Sequence, residues 1–510
     1  MKRPMLWLLC ALCLLTGCAS DEPFYDAVPE TDDAFYLEEP IEEEVVDFGP
    51  SLPLSFALPY SKDNTLDPIT CSTGMQQTLG SLLYEGLFEL SETFVPQPSL
   101  CTTYTYDQET YTYTLTLRSV LFWDGTALTA EDVVATLVRA KSSERYTARL
   151  SDVVAVKALE GAVTITLNRD NAQFVALLDI PIIKSGTEND PFPVGTGPYA
   201  PAEDGTYLEG NVLWWQKNPL PIQTIALTDC PNQDLMQYRF TTHDVQLIAT
   251  DLISTDPFQA SGNITYNEVN TSILHYIGFN MEEFQFQRSA VRQAFSSGID
   301  RSSMISAFLS GHGLSAQFPL SPLSADYPHT ADTTYSKSGY IAALGATGIH
   351  ATAQTYTLIV NGENSFKVAA ASYIATNLSQ GNITIKVQPL AWEDYVLALE
   401  TGDYDLYYGE VQLTADWDWT ALLSTDGALN FGGYSSSTMD QAIADYLSAT
   451  DPSAAMSALC QEFQAQMPII PLCFKSTSVL AQSQVLENNV HTQANPFYQF
   501  STWRINLDGA

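Results

Sequence analysis

The chain has 510 residues, 59 Asp and Glu against 21 Lys and Arg, and a formal net charge of −38. Hydrophobic residues make up 45% and charged residues 16%, a globular composition that excludes a disordered chain or a coiled coil. At about 150 residues per domain, this length corresponds to two to four domains or sub-domains. The acidity repels phosphate backbones, and no run of Lys and Arg could form a nucleic-acid footprint, so no nucleic-acid partner is expected. It is compatible with a cationic or zwitterionic ligand, although its plainest role is solubility.

Lys2 and Arg3 precede an apolar stretch from Leu6 to Leu15 that is too short to span a bilayer. The stretch closes on Leu15-Thr16-Gly17-Cys18, which resembles the bacterial lipobox. Residues 1–17 are therefore expected to be a lipoprotein signal peptide. Cys18 is the expected lipidation site, holding the protein to the bacterial cell membrane outside the cytoplasm. No later segment is apolar for long enough to be a transmembrane helix. Residues 21–50 contain twelve Asp and Glu, no Lys or Arg, and Pro23, Pro29, Pro40 and Pro50. Like-charge repulsion and proline keep such a stretch extended, so residues 18–50 are expected to be a tether, with a charged partner-binding tail as the alternative.

The folded body starts near Leu52–Ala57 with a strand-like alternation. A turn at Asp67-Pro68 leads to a helix over Met75–Tyr84. Residues 102–118 alternate Thr and Tyr strictly, which predicts a hairpin turning at Asp107–Glu109. Thr129 and Asp132 form a capping-box pattern ahead of a helix whose Val133, Val134, Leu137 and Val138 are expected on one face. Strands are predicted at Val153–Ala158, Ala162–Leu167 and Ile273–Asn280, and helices at Gln287–Phe295 and Ser302–Leu309, the latter capped by Asp300. Strand and helix then alternate: Thr355–Val360, Phe366–Leu378, Ile383–Gln388, Trp392–Glu400, Tyr404–Tyr408. This pattern predicts an α/β lobe. A helix at Met456–Gln466, a strand at Ile469–Phe474 and a last strand near Trp503 complete the chain.

Beyond the leader and Cys18 there are five cysteines: Cys71, Cys101, Cys230, Cys460 and Cys473. An odd count leaves at least one unpaired within the chain. Cys71–Cys101 and Cys460–Cys473 are possible bridges, and buried free thiols are the alternative. No CxxC and no Cys/His cluster has metal spacing, and no metal site or cofactor is expected. The six histidines are scattered, and no nucleophile elbow, HExxH or Walker A sequence occurs. With 59 acids, chance carboxylate pairs abound, so a secreted glycosidase is disfavoured only by the lack of a positive signal.

Several short motifs follow one another along the body: Leu66-Asp67-Pro68; Leu83-Tyr84-Glu85-Gly86-Leu87; Phe122-Trp123-Asp124-Gly125-Thr126 through Asp132-Val133; Gly195-Thr196-Gly197-Pro198-Tyr199; Ile277-Gly278-Phe279-Asn280; Val291-Arg292-Gln293-Ala294-Phe295; and Ile299-Asp300-Arg301. In this order they resemble the extracellular solute-binding protein family 5, which serves peptide and nickel ABC importers. The resemblance runs from about residue 54 to 503. It implies a two-lobed, periplasmic-binding-protein-like α/β fold of class II type. Lobe I is expected over residues 51–270, with an extra sub-domain at about 88–190. Lobe II is expected over 271–477, with a return to lobe I over 478–510. It also implies a non-enzymatic receptor that encloses a short peptide or other small solute in the inter-lobe cleft and delivers it to ABC permease subunits. A nickel chelate or sugar as cargo, or a secreted enzyme or non-transport receptor, are the alternatives.

In peptide-binding members of that family, an Asp after a Gly-x-Tyr-Asp strand pairs with the ligand's α-ammonium. Gly402-Asp403-Tyr404-Asp405 matches the strand, and Asp416 in Leu413-Thr414-Ala415-Asp416-Trp417-Asp418-Trp419 matches the Asp; its structural alternative is a turn residue or helix cap. Where peptide binders often carry an aromatic three residues earlier, this chain has Leu413. Trp417 and Trp419 are expected to supply the cleft wall instead, or to be core. Thr73, Met75 and Tyr276 are the remaining candidate ligand contacts, while Asn280 and the glycines of Gly195–Gly197 read as structural.

Overall fold

The computed structural model describes residues 52–508 apart from 260 and 332–334. The leader, Cys18 and the acidic tether over residues 18–50 lie outside the described residues.

Local capping sets several helix starts. Thr129 Oγ1 accepts from Asp132 N at 3.3 Å and Asp132 Oδ2 accepts from Thr129 N at 2.9 Å, closing the box ahead of Ala130–Lys141. Val133 and Leu137 enter the core as the periodicity predicts, but Val138 is 52% exposed. At about 100° per residue it has turned off the apolar stripe. Thr136 and Ala140 take the buried positions instead. Thr73 caps Gly74–Leu83, and Asp300 caps Arg301–Phe308.

The sheets define the layout. A four-stranded sheet runs in the order Ala57–Tyr60, Thr224–Asp229, Tyr207–Gly210, Tyr199–Pro201. An antiparallel sheet of Cys101–Asp107, Thr112–Leu117, Ala162–Leu167 and Val153–Leu159 packs against helix Ala130–Lys141. Its alternation is that of the sequence: Tyr113 and Leu115 are buried, and Thr112, Thr114 and Thr116 are not. A seven-stranded sheet takes the order Leu247–Thr250, Ile469–Gln482, Ile264–Phe279, Leu406–Gln412, Gln354–Asn361, Ile383–Leu390, with Gly313–Ser315 beside Ile469–Gln482. Its parallel pairs are joined through helices Ser365–Leu378 and Trp392–Thr401, as parallel strands require. Hydrophobic clusters fill both sides of this large sheet, and separate clusters fill the smaller sheets, giving a bilobed α/β body.

The sequence reading captured only half of each crossing strand. Ile264–Phe279 and Ile469–Gln482 run antiparallel from one lobe into the other. Their register shifts between Asn270 and Leu274 and again between His275 and Tyr276. The halves beyond the shift carry Thr, Asn, Glu, Lys and Ser, so hydrophobicity alone ended the predicted strands early. Polar composition also hid the helix Gln233–Thr241, whereas Ser437–Ser448 is absent from the sequence reading although Met439, Ile443, Tyr446 and Leu447 fall on one face.

Candidate ligand-binding cleft

A cavity of about 910 Å³ lies against the crossing strands. Asn270, Ser272 and Ser478 belong to those strands. Gln77 and Glu89 come from the lobe of the smaller sheets, and Thr414 from the end of a strand in the large sheet. This volume falls within the range of small-molecule sites.

The two lobes touch beside the cavity. Asn171 Nδ2 donates to Asp416 Oδ2 at 2.9 Å, Arg169 pairs with Asp418, and Arg169 Nη1 donates to Thr420 Oγ1 at 3.1 Å. Gln173 Nε2 donates to Ala449 O at 2.8 Å. Phe94 and Trp417, both in the left-handed region at φ 64° and 52°, meet edge to face with centroids 5.4 Å apart. Non-glycine residues rarely adopt this conformation, and here two of them build one contact.

The six ligand candidates from the sequence do not border the cavity, although Gly74, between Thr73 and Met75, and Ala415, before Asp416, do. Asp416 is 3% exposed, and its Oδ1 accepts from Thr414 Oγ1 at 2.5 Å. Burial and the Asp418 carboxylate both raise its pKa. Trp417 is wedged between Phe94 and Phe474. Trp419 is fully buried against Phe463. Thr73 spends its hydroxyl on the helix cap and Met75 is half-buried, while Gly74 and Gln77 line the space. Tyr276 packs into the sheet core, edge to face with Tyr407.

Other groups hold the cleft together. Glu85 is half-buried at the cavity wall and accepts from Thr196 Oγ1 at 2.8 Å, Trp214 Nε1 at 3.1 Å and Trp215 Nε1 at 2.9 Å. Burial outweighs these donors and pushes its pKa up to about 7. The glycines of Gly195-Thr196-Gly197 allow the close approach, since a Cβ on Gly197 would sit 2.5 Å from Leu82 O. Asn280 Nδ2 donates to Tyr404 O at 3.0 Å, a structural bond. His275 is buried outside the cavity wall, bonded to Tyr408 at 2.8 Å and to Glu410 at 2.7 Å. His491 lines the cavity, and the sequence offered no signal for it. Among the described residues no group of three His, Cys, Asp or Glu could hold a metal ion, and the five cysteines are free and buried.

The architecture recurs in known proteins. A nickel ABC transporter protein from Bacillus halodurans superposes with a TM-score of 0.73 at 19% identity, covering 87% of this chain and 98% of its own. The oligopeptide-binding protein AppA from Bacillus subtilis, in complex with a nonapeptide, gives 0.59 at 20% identity, covering 90% and 100%. The glutathione-binding protein GsiB of Escherichia coli O6:K15:H31 is 24% identical over 81% of this chain and 87% of its own length. The family model for bacterial extracellular solute-binding proteins, family 5, matches residues 95–432. With the bilobed fold and the cavity at its strand crossing, that match means the chain belongs to this family, as an extracytoplasmic, non-catalytic substrate-binding component of peptide/nickel-type ABC importers.

Proposed function

We propose that the protein is a lipid-anchored receptor, held at the membrane through Cys18, that takes short peptides into the cavity and passes them intact to an ABC permease. The observation that carries the reading is the roughly 910 Å³ cavity with walls from both lobes and a floor of crossing strands. Hinge closure about such strands is an established repertoire of binding proteins. GsiB and AppA, by their names a glutathione and an oligopeptide binder, support peptide cargo. Asp416 is the proposed partner of the peptide ammonium. Its Oδ2 now holds the Asn171 amide, so an arriving ammonium replaces that contact when the lobes part. A membrane anchor keeps the receptor at high effective concentration beside its permease.

Mass spectrometry of small molecules released from natively purified protein tests the reading. Peptides of a few residues are the expected cargo. Release of a nickel chelate or a sugar instead would overturn it.

A further inference from the structure

The strands Ile264–Phe279 and Ile469–Gln482 carry charge where they leave one lobe for the other. Val269 and Thr477 pair and border the cavity, so Glu268, one residue earlier, points to the opposite face. There it meets His312, whose Nδ1 lies 2.5 Å from Glu268 Oε1. The two are anchored on different sides of the crossing. Glu268 precedes the register shift at Asn270–Leu274, whereas His312 precedes Gly313–Ser315, which pairs with Cys473–Lys475 at and beyond the shift. Lys475 lies inside the shift, between Ser476 opposite Asn270 and Phe474 opposite Leu274, and it is buried. Its ammonium holds Asp251 at 2.5 Å and comes within 3.9 Å of Glu410. Asp251 follows Leu247–Thr250, which joins the lobe of the smaller sheets where Gln246 N donates to Ala57 O at 3.0 Å. Glu410 belongs to Leu406–Gln412 of the other lobe, where Lys367 Nζ at 3.1 Å and His275 Nε2 at 2.7 Å also reach it. None of these groups borders the cavity.

One proton completes the charge balance of this cluster. Asp251, Glu268 and Glu410 bring three negative charges, and Lys367 and Lys475 bring two positive ones. Burial lowers the His275 pKa below its ordinary 6.5, so that ring is neutral at neutral pH. His312 is the group left to cancel the third carboxylate. The bond to Glu268 raises its pKa above 6.5, against burial and with help from Asp251. The charged side chains on the other elements beside it are Lys475, paired opposite Gly313 and turned to Asp251, and Arg301, whose Nε donates to Pro471 O at 2.8 Å. A rotation of the lobes about the crossing changes distances between groups anchored on either side of it. The cluster is assembled in the same conformation in which Asn171 meets Asp416 and Arg169 meets Asp418, so its attractions favour touching lobes.

We propose that His312 and Glu268, with the Asp251–Lys475–Glu410 chain beside them, form a proton-sensitive latch across the strand crossing that holds the lobes together and tightens the grip on cargo in mild acid. The inference rests on the receptor reading and adds a control to it. A group whose pKa is raised in one conformation contributes in full below its ordinary value, and the contribution is lost as pH rises through the raised one. The latch is therefore complete below about pH 6.5 and slackens as the pH climbs past the His312 value.

Proton NMR and X-ray scattering of the ligand-free full chain test this, with Glu268→Gln and His312→Gln as variants. The Glu268 side chain is 48% exposed, and circular dichroism checks that both variants fold. The His312 ring, assigned by its loss in His312→Gln, is expected to titrate above 6.5 in the native chain and to fall back in Glu268→Gln. Between about pH 6 and about pH 8 the native protein is expected to become less compact, while His312→Gln shows the looser profile at both. Glu85, with a pKa of about 7, is common to all three proteins, so the difference between them reports His312. In calorimetry with trialanine, the native protein is expected to bind about two- to fivefold more tightly than His312→Gln at the lower pH and equally at the higher. A His312 ring titrating at or below 6.5 would overturn the latch and leave the receptor reading standing. So would a scattering profile with the same pH dependence in the native and His312→Gln proteins. If trialanine binds at neither pH, the peptide reading falls, and the scattering and NMR still decide the latch.

Discussion

Tyr276 and Gly278 alternate on one crossing strand, and Tyr407 and Gly409 alternate on its neighbour. In register, Tyr276 faces Gly409 and Gly278 faces Tyr407. Each ring lies over the glycine opposite, and the two rings cross at 82° with centroids 5.7 Å apart. A Cβ on Gly278 would sit 2.0 Å from the Tyr407 ring. Gly278→Ala is therefore expected to destabilise the fold by about 1–3 kcal/mol, read from urea unfolding. His491 gives a pH prediction at the same scale. Its Nδ1 donates to Pro496 O at 2.6 Å and its Nε2 accepts from Asn489 Nδ2 at 2.7 Å, so both nitrogens serve the neutral ring. Burial pushes its pKa from 6.5 down to about 4. A depressed folded-state pKa gives stability that is complete above the unfolded value and is lost as pH falls towards the folded one. Between about pH 6.5 and 4 the wild type should lose roughly 3 kcal/mol that His491→Gln does not, by urea unfolding at both ends of the window. Equal losses would remove His491 as the cause.

At the scale of elements, the stretch from Arg169 to Gln173 clasps the large-sheet lobe near Asp416–Thr420 and Leu447–Ala449. Besides the Arg169, Asn171 and Gln173 contacts, Ala172 N donates to Leu447 O at 2.6 Å. The Arg169 side chain is 34% exposed, so solvent tempers its worth. Arg169→Ala is expected to loosen the clasp. X-ray scattering should show a less compact ligand-free protein, and peptide affinity should fall about five- to tenfold. An unchanged profile with unchanged affinity would show the clasp to be energetically idle. Elements of this kind differed in how legible they were. The helix from Ala130 starts where Thr129 and Asp132 predict, because the cap is made within four residues. The crossing strands outran their predicted ends, because their polar halves, Ile264–Asn270 and Ser476–Gln482, pair with each other in a ladder that a sequence pattern reads as loop.

For the whole molecule, the cysteine alternatives resolve towards free thiols. Cys71, Cys101, Cys230, Cys460 and Cys473 are all buried and unpaired. Burial pushes Cys101 and Cys230 up to about 11, and Cys460 and Cys473 up to about 12, so none of these four is a thiolate at neutral pH. The five are expected to resist alkylation in the folded protein and to react together on unfolding in urea, with a Tm unchanged by reductant. Mass shifts after iodoacetamide treatment report this; rapid labelling without urea would show that the body opens.

By itself the sequence determined the leader pattern, the acidity, the helix caps, the Thr/Tyr alternation and the ordered motifs of the family, because each depends on residues within a turn or two of one another or on composition. Only the tertiary structure decided which side chains border the cavity. Asp416 meets Asn171 across a separation of 245 residues, and Gln77, Glu89, Arg149, Thr414 and His491 reach one space from distant parts of the chain. Asp416, Trp417 and Trp419 were legible as a motif, but the direction each side chain takes follows from how the lobes pack against that segment. Local chemistry fixes where elements begin; burial between distant segments fixes what they enclose.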